Sequence, residues 1–162
     1  MLPLRRRRAN GFGLPSTRFK PVPIITACIT AIRHVDENGW DDYTARIGES
    51  DGTAAPRLAD TRPRDGELAG LWDQLVQALV TLAGHGLAHG DMSAYNLLVH
   101  HGRLIMIDLP QVVDVIANPR GAELLDRDAT NVARWFSAHG LDGTAPGLQH
   151  LPALLRNEAG IR

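Results

Sequence analysis

The stretch from Leu87 to Val115, "LAHGDMSAYNLLVHHGRLIMIDLPQVVDV", constrains the fold of this chain more than any other. It holds two aspartates, Asp91 and Asp108, with a carboxamide, Asn96, between them, and short apolar runs beside them. The runs Asn96–Val99 and Arg103–Ile107, joined by His100, His101 and Gly102, have the pattern of a small β-hairpin. Such a hairpin brings Asn96 and Asp108 to the same end of neighbouring strands, with Asp91 on the loop just before it. Converging carboxylates cost free energy unless they are paired, hydrogen-bonded or bound to a metal. Mg²⁺ suits this set, because it prefers hard oxygen ligands, takes few carboxylates from the protein and completes its shell with water and phosphate oxygens. In that reading Asn96 and Asp108 hold the ion, and Asp91 is left to orient or deprotonate a nucleophile.

The flanking text is helical. Leu68, Leu71, Trp72, Leu75, Leu79 and Leu82 recur at steps of three and four, which predicts an amphipathic helix over 65–84, stopped by Gly84 and Gly86, with Trp72 in the core. A second helix is predicted over 121–138, with Leu125, Ala129, Val132 and Phe136 on its inner face and Gly140 just past its end. A last one is expected over 148–158. The fold class is therefore α+β, mainly helical with a small hairpin that carries the polar cluster.

With 162 residues and 44% hydrophobic content the chain supports one domain with a real core. Residues 1–46 read differently from the rest. They open with the run Arg5–Arg8, continue through Pro- and Gly-rich text, and are expected to form a poorly ordered or remnant N-terminal segment; 47–162 carry the fold. The Arg run reads as a solvated tail. A formal net charge of −1 argues against the positive field of a general nucleic-acid binder. The single cysteine, Cys28, cannot form an internal disulfide, and the apolar stretch Ile24–Ile32 is about half the length that spans a bilayer. These features predict a cytoplasmic protein without a membrane partner.

Four histidines, His85, His89, His100 and His101, lie near the cluster. They lack the zinc-protease pattern of paired helical histidines with a following acidic ligand. His89 reads instead as a brace for the loop, and His100 and His101 as exposed residues of the hairpin turn.

At this point the text resembles a known family. His89-Gly90-Asp91 followed by Asn96 is similar to the catalytic loop of protein kinases, and Ile107-Asp108 stands where they carry a metal-binding aspartate. The fuller text "HGDMSAYNLLVHHGRLIMIDLPQ", with "IGESDGTAAPRLA" before it, resembles the RIO family of atypical serine/threonine kinases over about 47–141. The resemblance implies a protein-kinase-like C-lobe that uses ATP and Mg²⁺. It implies Asp91 as catalytic aspartate, Asn96 and Asp108 as Mg²⁺ ligands, and Leu98 and Ile107 as residues lining the adenine pocket. The acceptor would be a Ser/Thr hydroxyl of an unspecified protein, or Asp108 itself, since some members behave as ATPases that phosphorylate this aspartate. Contact with a ribosomal particle or nucleic acid would follow by family analogy alone.

The family's N-lobe, with its phosphate-covering loop and lysine, has no counterpart that can be read from this sequence. Gly11-Phe12-Gly13 is a fragment of a glycine-rich signature, and Lys20, the one lysine against sixteen arginines, sits beside Pro21. The expectation is a truncated or altered product that retains the C-lobe. Two rivals accompany it: a kinase-like binding module without catalysis, and a small-molecule phosphotransferase of the aminoglycoside type.

Overall fold

The computed structural model describes residues 55–109 and 112–161. The N-terminal segment 1–46, with Arg5–Arg8, Gly11, Gly13, Lys20 and Cys28, lies outside them, as does the proposed boundary at 46/47.

Three helices make the body of the described residues. Helix α1 (Asp65–Gly84) and helix α2 (Gly121–Ala138) occupy the expected spans, and α3 (Leu151–Glu158) packs against both. The predicted stripe of α1, from Leu68 to Leu82, is buried throughout, as are Leu125, Ala129, Val132 and Phe136 of α2. Trp72 is the centre of this core. Its ring meets Phe136 at a centroid distance of 5.2 Å, and its indole N–H donates to the Pro146 carbonyl at 2.8 Å. The large aromatic surface is therefore buried with its polar atom satisfied.

Helix α2 ends as expected at Gly140, which adopts φ +94°, a left-handed conformation that glycine enters without a Cβ penalty. Leu141 N–H then reaches back to the Phe136 carbonyl and Gly140 N–H to that of Ser137, closing a Schellman motif with Leu141 buried. Helix α3 starts at Leu151 rather than 148. Pro152 gives the reason: it has no N–H, so it fits the first turn of a helix, whereas a start at 148 would put it where a backbone bond is needed.

Two antiparallel ladders complete the described part of the fold. Strands β2 (Leu97–His100) and β3 (Arg103–Met106) form the hairpin, pairing Leu97 with Met106, Leu98 with Ile105, Val99 with Leu104 and His100 with Arg103. The link is two residues, not three. His101 and Gly102 take φ of 49° and 71°, the pair of positive values of a type I′ turn, and His100 belongs to the strand. His101 is exposed as expected, whereas His100 is half-buried and its ring lies 4.1 Å from that of His101.

Gln74 of α1 pins one edge of the hairpin, donating to the Gly102 carbonyl and accepting from Leu104 N–H, both at 3.0 Å. The other edge meets a chain segment in front of α1, where Val99 N–H donates to the Pro56 carbonyl at 2.9 Å and Arg57 bridges Leu98. The second ladder, β1 (Leu87–Ala88) with β4 (Val113–Asp114), was not expected. Two-residue strands carry no periodicity from which to read them. Among the described residues no helix is long and apolar enough to cross a membrane.

The chain after β4 turns into α2 through a close approach. A Cβ on Gly121 would lie 2.3 Å from the Val115 carbonyl oxygen and 2.5 Å from its Cα. Gly121→Ala is therefore expected to cost about 2 kcal/mol or more, because backbone must move to admit the methyl. Thermal unfolding should detect it as a midpoint lowered by about 10 °C. An unchanged midpoint would mean that α2 does not start against Val115.

Candidate functional site

The loop before the hairpin is held by a residue that periodicity alone does not single out. Asp128 lies on the apolar stripe of α2, three residues after Leu125 and four before Val132, and only 1% of it is exposed. Its two carboxylate oxygens accept from Gly90 N–H at 2.7 Å and Met92 N–H at 2.9 Å. Burial pushes its carboxyl up from the ordinary carboxylate range, and the bonds from Met92 and Gly90 pull it back down. A charged residue on an otherwise apolar helix face was the signal that could have found it, since such a group is kept only with partners.

These bonds set the loop. Gly90 takes φ +87°, Met92 is buried beneath it, and Asp91 between them is exposed. The geometry requires glycine at 90 for the backbone turn and leaves the Asp91 carboxylate at the surface.

His89 joins this loop to the hairpin. It is completely buried; its Nε2 bonds the Ile107 carbonyl at 2.8 Å, and Asp91 N–H points at its Nδ1 at 3.4 Å. With Nδ1 accepting, the ring hydrogen is assigned to Nε2, which donates to Ile107. The role expected of His89 as a brace is the one its position supports.

Asn96 makes the second link. It ends a 3-10 turn over Ala94–Asn96, its N–H donating to the Ser93 carbonyl at 3.0 Å, so the strand begins one residue later than predicted. Its side-chain amide donates to the Asp91 carbonyl at 2.7 Å, and its own carbonyl accepts from Ile107 N–H at 3.0 Å. Strand β3 stops at Met106, also one residue short of the predicted end. The Ile107 to Asn96 bond nevertheless extends the pairing and brings Asp108 to the Asn96 end of the hairpin. Asp108 is exposed and has φ +63°, a region that Asp and Asn tolerate better than other side-chain-bearing residues. Leu98 and Ile107, both half-buried, are diagonal neighbours on one hairpin face, because Leu98 stands opposite Ile105.

The described structure thus links Asp91, Asn96 and Ile107 by hydrogen bonds, with Asp108 the next residue in the chain and Leu98 beside them on the hairpin. Among the described residues no three His, Cys, Asp or Glu side chains converge on a common point. His85 bonds the Thr81 carbonyl through Nδ1, after α1 has ended at Gly84, so it shares no helix face with His89. What the unit offers an ion is oxygen. With its amide nitrogen donating to the Asp91 carbonyl, Asn96 would offer an ion its side-chain carbonyl oxygen, and Asp108 would add a carboxylate. That donor set fits Mg²⁺, which needs only one or two protein oxygens when phosphate and water supply the rest.

Comparison with known proteins covers the same region. A family model described as "RIO domain" matches residues 45–147. The chain is 38% identical over 94 residues to RIO-type serine/threonine-protein kinase Rio1 of Haloferax volcanii, covering 58% of this chain and 31% of that one. It is 35% identical over 96 residues to the protein of the same name from Thermoplasma acidophilum, covering 59% of this chain and 48% of the relative. Serine/threonine-protein kinase RIO2 of Caenorhabditis elegans is 40% identical over 67 residues, covering 41% of this chain and 12% of its own length. The chain therefore spans less than half the length of these curated relatives. The RIO domain match extends over more than half of the chain and takes in the loop, the hairpin and the helix that holds them, so this chain belongs to the RIO kinase family.

Proposed function

We propose that this chain carries the catalytic-loop and metal-binding half of a RIO-type serine/threonine kinase, transferring the γ-phosphoryl group of ATP to a Ser/Thr hydroxyl of a protein or to its own Asp108. The observation that supports this reading is the hydrogen-bonded set Asp91, Asn96 and Ile107, followed directly by Asp108 and clamped through Asp128 and His89.

In this reading the Asp91 carboxylate faces the acceptor. It orients the hydroxyl and accepts its proton as the new P–O bond forms and the bond to the β-phosphate breaks, releasing ADP. Asn96 and Asp108 would hold Mg²⁺, which when bound would offset charge on the phosphate oxygens. The Asn96 bond to the Asp91 carbonyl ties the start of the hairpin to the catalytic loop. Leu98 and Ile107 supply apolar surface for the adenine ring. The His89 bond to Ile107 keeps that surface in register with the loop, so nucleotide and acceptor are positioned against one rigid frame.

The test is incubation of the full chain with ATP labelled on the γ-phosphate, with Mg²⁺ and dephosphorylated casein as the acceptor. Label on casein supports protein-kinase activity. Label on the chain that hydroxylamine removes identifies an acyl phosphate, as Asp108 phosphorylation requires. ATP binding without any transfer would mean a nucleotide-binding module, and no binding at all would contradict the proposal.

A further inference from the structure

Asp128 is not the only residue of its helix that grips the loop. Its neighbour Arg127 is exposed, yet its guanidinium donates to the carbonyl oxygen of Gly90. Two consecutive residues of α2 thus hold the same glycine from opposite sides, Asp128 at its N–H and Arg127 at its carbonyl. The carbonyl matters more than its distance from the chemistry suggests. It belongs to the peptide plane whose nitrogen is that of Asp91, and among the described residues that nitrogen meets only the long 3.4 Å contact to His89. Orientation of this plane decides where the Asp91 Cα–Cβ bond points.

A glycine at φ +87° is the place where such a plane would otherwise swing, since glycine has the widest choice of backbone angles. We propose that Arg127 is a positioning residue for phosphoryl transfer, fixing the Gly90–Asp91 peptide so that the Asp91 carboxylate meets the acceptor, while leaving nucleotide binding untouched. The inference deepens the kinase reading and rests on it for its kinetic consequence; the bond itself does not.

Arg127 has the properties this role needs. The guanidinium is always charged and holds its hydrogen-bond geometry rigidly, so it binds a neutral carbonyl more tightly than a neutral donor would. Its charge also lies close enough to Asp128 to favour the ionised form of that buried carboxylate, which keeps both halves of the grip in the same state. Because the side chain is exposed and belongs to a helix fixed by its apolar face, its loss should leave the fold intact.

The experiment compares the full-length wild type with Arg127→Ala and Arg127→Lys by two measurements. The first is amide hydrogen exchange at residues 90–92. The second is steady-state ATP turnover with Mg²⁺, separating kcat from KM for ATP. Arg127→Ala should speed exchange at these amides alone and lower kcat about tenfold, the scale on which small misplacements act. KM for ATP should stay within about twofold, and Arg127→Lys should restore part of both effects, a rescue that loss of general stability would not give. Unchanged exchange at residues 90–92 would overturn the proposal, as would a kcat equal to the wild type's or a fall in kcat matched by a fall in thermal midpoint. If the wild type itself turns over no ATP, the kinase reading has failed, and hydrogen exchange still decides whether Arg127 holds the loop.

Discussion

Asp128→Ala is expected to destabilise this chain by about 3–5 kcal/mol, a large share of the stability of an ordinary domain. The substitution removes the acceptor for two N–H groups at once, those of Gly90 and Met92, in a site where Asp128 is 1% exposed. Each N–H left without an acceptor in a buried environment costs about 1–3 kcal/mol, and the cavity adds to that. Asp128→Asn should be milder, at about half the loss, because one amide oxygen can still accept while the NH₂ group faces the other donor. Thermal unfolding read alongside amide exchange at residues 90–92 would check both variants. Equal stability of Asp128→Ala and wild type would mean that the loop is held without the Asp128 carboxylate.

The second large effect is chemical rather than structural. Asp91→Asn should leave the fold unchanged, since the side chain is exposed and the bonds at position 91 run through its backbone carbonyl and N–H. It should nevertheless lower the rate of phosphoryl transfer by about 10²- to 10⁴-fold, the usual weight of a positioned acid or base. ATP affinity should be nearly unaffected, because the residue acts on the acceptor. A variant that retains the wild-type rate would remove Asp91 from the mechanism, and one that loses ATP binding would place it in the nucleotide site instead.

Much of this arrangement was legible in the sequence, for reasons that differ by element. Helices α1 and α2 bury one face each, and a buried face imposes a period that survives in the text, as in Leu68 to Leu82. The hairpin was legible because apolar runs on both sides of a short turn leave few other solutions. Its boundaries were off by one residue, because Asn96 commits its N–H to a local turn before the strand begins and because a type I′ turn needs two residues only. The ladder of Leu87–Ala88 with Val113–Asp114 was not legible, since its register is fixed by long-range contacts rather than by any local pattern. Asp128 was missed for a subtler reason. Its partners are backbone N–H groups 36 and 38 residues away in sequence, and backbone donors leave no mark in the identity of side chains. Pro152, by contrast, did mark the start of α3, and a stricter reading of its missing N–H would have placed that boundary.

The account stands or falls on whether Asn96 and Asp108 form a Mg²⁺-dependent nucleotide site. Calorimetric titration of the full chain with ATP, in the presence and absence of Mg²⁺, tests this most directly when paired with Asp108→Asn. Asparagine accepts the left-handed backbone at this position almost as readily as aspartate, and thermal unfolding of the variant checks that the fold is kept. The substitution removes the charge and turns one acceptor oxygen into a donor. The wild type should bind ATP only with Mg²⁺, and Asp108→Asn should lose that binding. Binding of equal strength in both proteins, or binding indifferent to the metal, would contradict it.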